Sequence, residues 1–313
     1  MMAQHFKGRV SHFITLNEPQ IVLKLGYCDG IHAPGHRYSL PQLAACWKHL
    51  LLAHGLSFRA IRAAAPDAQI GIASTGKLCY PHSAADESAA REETFRLTDA
   101  DWMFTHPIVL DAVCFGRVAP EPGALSALMQ SVRAEDWQTI HAVPDFIGIN
   151  SYNGSEITSG PDGRSVYLPR PRGCARTALK WPITPEIMQY GYAFLSARYR
   201  LPLYVTECGL SCNDHIYLDG QVHDQDRIDF LHRYLLALQS GSERADVRGF
   251  FHWSLTDNFE WHSGYDERFG LIYVDYPTQK RIFKDSAFWF AQTARENGKN
   301  TGTRSALRRS LRR

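Results

Sequence analysis

The stretch 201-LPLYVTECG-209, with 225-QDRIDFLHRYLLALQ-239 after it, decides the fold. Its first part is a run of apolar and β-branched residues over 203–206 that ends at Glu207. Its second part reads as a helix, with Asp224 as a candidate N-cap. A strand that passes through a loop into a helix is one β/α unit, and such units in series build an α/β fold around a parallel sheet. Working outward, four more units appear. A strand over 11–16 precedes a Gly/Pro loop and a helix over 41–65, where Leu43, Trp47, Leu50, Leu51 and His54 fall at helical spacing and Pro66-Asp67 stops the run. A strand over 69–74 (QIGIAS) leads to a helix near 89–104, followed by a poorly periodic stretch through Pro107, Gly116, Pro120, Pro122 and Gly123. A strand over 146–152 leads through a polar loop to a helix over 185–200. A strand over 247–253 runs into an aromatic loop before a last helix near 285–297. No repeat and no interior linker marks a second domain, so 1–297 reads as one unit and 298–313 as a basic, disordered tail.

With 313 residues and 44% hydrophobic content, the chain can bury a large core. The formal charge is +2, but five arginines lie in the last ten residues, so the body carries −3 and has no nucleic-acid footprint. Seven scattered cysteines read as reduced thiols of a cytoplasmic protein. Cys208, Cys212 and His215 form the only compact Cys/His group, and without a fourth ligand they read as incidental loop residues. His32 and His36 are four apart, but Pro34 and Gly35 between them argue against a helical metal pair. No run approaches a membrane span, and nothing in 1–19 has the apolar core of an export signal. Neither a phosphate loop nor a dinucleotide fingerprint is present, GIASTG is not a nucleophile elbow, and no cofactor is expected.

In parallel α/β folds the reactive groups gather at the carboxyl ends of the strands. Two glutamates lie there: Glu18, before Pro19, and Glu207, before Gly209. Either alone also suits a loop cap or half of a salt bridge. A facing pair is what glycosidic cleavage needs, one carboxyl to protonate the leaving oxygen and one to attack or to activate water. Between 250 and 276, Trp253, Phe259, Trp261, Tyr265 and Phe269 alternate with Asp257, Asn258, Glu260 and Asp266. Flat aromatics interleaved with hydrogen-bonding groups match the apolar faces and hydroxyl edges of a pyranose ring better than they match a plain aromatic core.

Four segments, FITLNEP (13–19), DFIGINSYNG (145–154), YVTECG (204–209) and HWSLTDNFEWHSGYDERFGLIYVDYPTQKR (252–281), resemble the motifs of family-1 glycoside hydrolases in the family's order. GIHAPG (30–35) and HLLLAHG (49–55) support the match. The resemblance implies a retaining β-glucosidase type acting on a β-glucoside or oligosaccharide, with Glu18 as acid/base and Glu207 as nucleophile. It places Asn17 on the sugar 2-hydroxyl, Asn150 and Tyr152 beside the nucleophile, and Trp253 as stacking platform. Glu260 falls on the acceptor of the 4- and 6-hydroxyls, Trp261 on a donor to the 3-hydroxyl, and Phe269 on the pocket wall. The fold implied is a TIM (β/α)8 barrel, incomplete here and covering strands 4 to 8.

Two departures qualify the match. The usual Glu-Asn-Gly reads Glu207-Cys208-Gly209. Strands one to three, roughly 100 to 150 residues, are missing, and with them the family's Gln, His and Trp sugar ligands and an Arg near the nucleophile. The expectation is therefore a glycosidase by descent whose isolated chain has little activity, against the alternative of a non-catalytic remnant that binds sugar or a partner. Aglycone, the choice among glucoside, galactoside and fucoside, and oligomeric state are left open by these residues.

Overall fold

The computed structural model describes residues 2–301. Five strands form one sheet in chain order: β1 (His12–Asn17), β2 (Gln69–Thr75), β3 (Phe146–Asn150), β4 (Leu203–Cys208) and β5 (Val247–His252). Every pairing is parallel, and each strand lies beside the next one in sequence. β2 and β3 read as near-continuous apolar runs because both are buried along almost their whole length. Among the described residues the sheet does not close: β1 pairs only with β2, and β5 only with β4.

Helices fill the crossovers. α1 (Leu40–Ala64) starts at a capping box, where Ser39 N–H donates to Gln42 Oε1 at 3.0 Å. Its buried face carries Leu43, Trp47, Leu51 and His54, and the Trp47 indole donates to Ile108 O at 2.8 Å. α2 (Glu87–Phe95) is shorter than the helix expected over 89–104. Arg96 turns to extended backbone, and the Thr98 hydroxyl then accepts from Asp101 N–H, which holds a turn in place of a further helical turn. The poorly periodic stretch contains α3 (Pro107–Phe115), in which residues 107–113 are all buried. A helix covered on every side has no polar face, and so no period to read. Two more helices, Ala124–Gln130 and Ala134–Ile140, also form where no helical spacing is legible. The Gly/Pro loop expected after β1 contains a π-helical segment, Val22–Cys28.

α4 (Glu186–Tyr199), α5 (Gln225–Gly241) and α6 (Asp285–Arg295) complete the units. Asp224 precedes α5 as expected, but its side chain does not cap it. That carboxylate instead accepts from Ser286 N–H at 2.8 Å and pairs with Arg227. Residues 298–301 of the expected tail form part of the packed body. Gly298, at φ 74°, returns its N–H to Thr293 O after α6, and the buried Thr301 accepts at its carbonyl from His232 Nε2 at 2.8 Å. The rest of that tail lies outside the described residues.

Candidate active site

The carboxyl ends of the strands bring the two glutamates together through two amides. Glu18 follows β1, where its N–H donates to Ala73 O of β2 at 2.9 Å. Its backbone is left-handed, φ 47° and ψ 56°, and Pro19 opens a short helix. A non-glycine residue there costs about 1–2 kcal/mol, so neighbouring structure must hold it. Asn150, 1% exposed at the end of β3, donates from Nδ2 to Glu18 Oε1 at 2.9 Å and to Asn17 Oδ1 at 3.1 Å. Asn17 in turn donates to Glu207 Oε1 at 3.4 Å. The Tyr152 hydroxyl donates to Glu207 Oε2 at 2.6 Å.

These surroundings treat the two carboxyls differently. Burial pushes Glu18 up to about 7, the negative charge of Glu207 adds to the rise, and the Asn150 hydrogen bond opposes it. Burial also raises Glu207, but the Tyr152 and Asn17 donors stabilise its ionised form. Tyr152 itself is raised well above its ordinary value, first by burial and then by Glu207, so it remains a donor. The arrangement makes Glu18 the carboxyl that holds a proton near neutrality and gives the ionised form of Glu207 its own donors.

The loop after β5 supplies the remaining candidates unevenly. Glu260 lies close enough to raise Glu18, and burial raises Glu260 itself against a hydrogen bond from the Trp253 side chain. Phe269 is 2% exposed and meets Tyr152 edge-on at 6.2 Å between ring centres. Trp261 is 61% exposed and stacks on His32 at 5.5 Å. Gly209 is required for a reason other than turn freedom, since a Cβ there would sit 2.0 Å from Trp253 O.

Trp181, Thr75 and Thr206 were not singled out by the sequence reading. Trp181 packs against both Tyr152 (5.3 Å) and Phe269 (6.2 Å), and a lone tryptophan in a Gly/Pro/Arg-rich loop was the available signal. The Thr75 hydroxyl donates to Asn150 O at 3.2 Å, and Thr206 donates to Asn150 Oδ1 at 2.5 Å. The Cys/His group does not assemble: Cys208 is buried in β4, Cys212 bridges to Arg268, and His215 stacks on Tyr217. Among the described residues no three His, Cys, Asp or Glu side chains are grouped to hold a metal, and no helix is long and apolar enough to cross a membrane.

Residues 1–299 match the sequence profile of Glycosyl hydrolase family 1. The chain belongs to that family. It is 35% identical over 304 residues to Beta-glucosidase A of Thermotoga maritima, a match covering 95% of this chain and 66% of that protein. It is 34% identical to a bifunctional beta-D-glucosidase/beta-D-fucosidase of Bifidobacterium breve, over 93% of this chain and 65% of that one. The family member thus spans just under two thirds of the length of these relatives. A solved structure of the Thermotoga maritima beta-glucosidase in complex with noeuromycin superposes with a TM-score of 0.79 at 31% identity, over 95% of this chain and 67% of that one.

Proposed function

We propose that this family member carries the reaction centre of a retaining β-glucosidase, and that residues 1–297 are a partial (β/α)8 barrel whose five strands are the fourth to eighth. The observation that carries the reading is the joined pair of Glu18 and Glu207, unequal in hydrogen bonding and therefore in proton affinity. Glu207 attacks the anomeric carbon while Glu18 passes its proton to the departing oxygen, leaving a glycosyl ester on Glu207 and an ionised Glu18. Glu18 then takes a proton from water, the water oxygen bonds the anomeric carbon, and the ester bond returns its electrons to Glu207. Asn17 meets the 2-hydroxyl and Trp253 the sugar face. Glu260 and Trp261 take the outer hydroxyls, and Phe269 closes the wall. The free thiols fit a reducing, cytoplasmic setting.

An activated 2-deoxy-2-fluoro-β-glucoside tests this directly. Intact-mass measurement is expected to find one fluoroglucosyl group added to the chain, located on Glu207 by peptide mapping and absent from Glu207→Gln. Unmodified protein after prolonged incubation, with folding confirmed by circular dichroism, would sink the proposal. That result would favour the second reading, a sugar-binding remnant, which draws its support from the unclosed sheet.

A further inference from the structure

A buried amide must choose which end faces which neighbour, because its oxygen only accepts and its nitrogen only donates. Asn150 is such an amide. Ionised Glu18 accepts only, and Asn17 presents its oxygen because its nitrogen is taken by Glu207. Both neighbours require the Asn150 nitrogen. Its oxygen is left pointing at Thr206 Oγ1, 2.5 Å away, and there it needs a donor.

From this contact we infer that Thr206 is a positioning residue, whose hydroxyl anchors the Asn150 oxygen and so holds the amide nitrogen aimed at Glu18. The inference rests on the acid/base reading of Glu18 proposed above. Two backbone features independently serve the contact. Between β3 and β4 the register slips, so that Ile149 pairs with Val205 and Asn150 with Glu207, and Thr206 is the extra residue. Side chains normally alternate across a strand, but this bulge lets consecutive residues 206 and 207 both reach the amides. Gly148 leaves the room: a Cβ there would stand 2.6 Å from Thr206 Cγ2 and 2.9 Å from its Oγ1. Any side chain at 148 therefore displaces the hydroxyl.

Thr206→Val keeps the branched shape and loses the donor, whereas Thr206→Ser keeps the donor and loses the methyl. Carbon-13 NMR titration of glutamate carboxyls in this chain, with the Glu18 signal assigned by Glu18→Gln, reads the consequence without any turnover. The valine variant should raise the Glu18 midpoint by about one unit, the size of a lost hydrogen bond to a charged group, and the serine variant should leave it within about 0.2. An unmoved midpoint in Thr206→Val, or an equal shift in Thr206→Ser, overturns the inference, since either outcome makes Thr206 a packing residue only. If the valine variant fails to fold, Gly148→Ala displaces the same hydroxyl and is expected to raise the midpoint likewise; no shift there overturns it too. Failure of the fluoroglucoside to label Glu207 would leave these titrations unchanged, so the two proposals fail separately.

Discussion

Glu18 sets the pH range in which the proposed chemistry runs. As the proton donor it must be protonated, and with its pKa near 7 the active fraction falls as pH rises through neutrality. The kcat/KM for a β-glucoside with a poor leaving group is expected to show a basic limb centred near pH 7, lost with Glu18→Gln; a limb of the same midpoint in the variant would assign it elsewhere. Glu260 bears on the sugar. In the proposed site its carboxylate stands at the outer hydroxyls and would repel a phosphate, so plain glucosides should be turned over faster than 6-phosphoglucosides; the reverse order in competition kinetics would remove that role. Both glutamates were legible in the sequence because each ends a short apolar run. The amides were legible only through the family motif, since nothing local tells a linking asparagine from a turn asparagine. Thr206 was hidden because its role depends on a bulge, which no residue pattern announces.

Between the loops after β4 and β5 and the start of α6 lies a largely buried ion network. Arg227 pairs with Asp214 at 2.7 Å and also with Asp224, Lys284 meets Asp214 at 2.6 Å and Asp257 at 2.8 Å, and Arg268 reaches Asp257 at 2.6 Å. Burial and then Arg227 pull Lys284 below its ordinary value, against the two carboxylates. Asp257 also accepts from Gly270 N–H, so the network anchors the segment that carries Trp253 and Phe269. Lys284→Met is expected to cost about 3–5 kcal/mol in urea unfolding, as for other buried pairs broken on one side. A nearby surface clamp has a different pH signature. Its hydrogen bonds to the Asp285 and Asp219 carboxylates push His223 up to about 9. A raised folded-state pKa gives stability that is complete below the unfolded value of about 6.5 and is lost as pH rises through about 9. His223→Gln should therefore narrow the gap in melting temperature between pH 6 and pH 10, and an unchanged gap would remove His223 from that role. Elements with one polar face, α1 and α5, were readable to within a residue or two. The helix at 107–115 was not, because burial on every side erases the period.

At the scale of the whole molecule, the sheet has two free edges among the described residues, with Ile14 on β1 and Phe251 on β5 exposed. Leu255, Phe259, Phe283 and Phe288 add apolar surface, so the isolated chain is expected to self-associate as its concentration rises in sedimentation-velocity runs. Its hydrolysis of an aryl β-glucoside should fall at least about 10²-fold below that of a chain extended to the full length of its relatives, since misplacement of about 1 Å already has that effect. Equal rates would mean that five strands suffice. The order of those strands has one more consequence. Because every strand borders its successor in the chain, the sheet is a linear stack that opens from its margins, in which the innermost strand is the last to lose its partners. Amide deuterium uptake should accordingly form a gradient, slowest at Ile147 and Ile149 in β3 and fastest at the outer strands, and the asparagine that joins the two glutamates sits at the end of the strand that opens last.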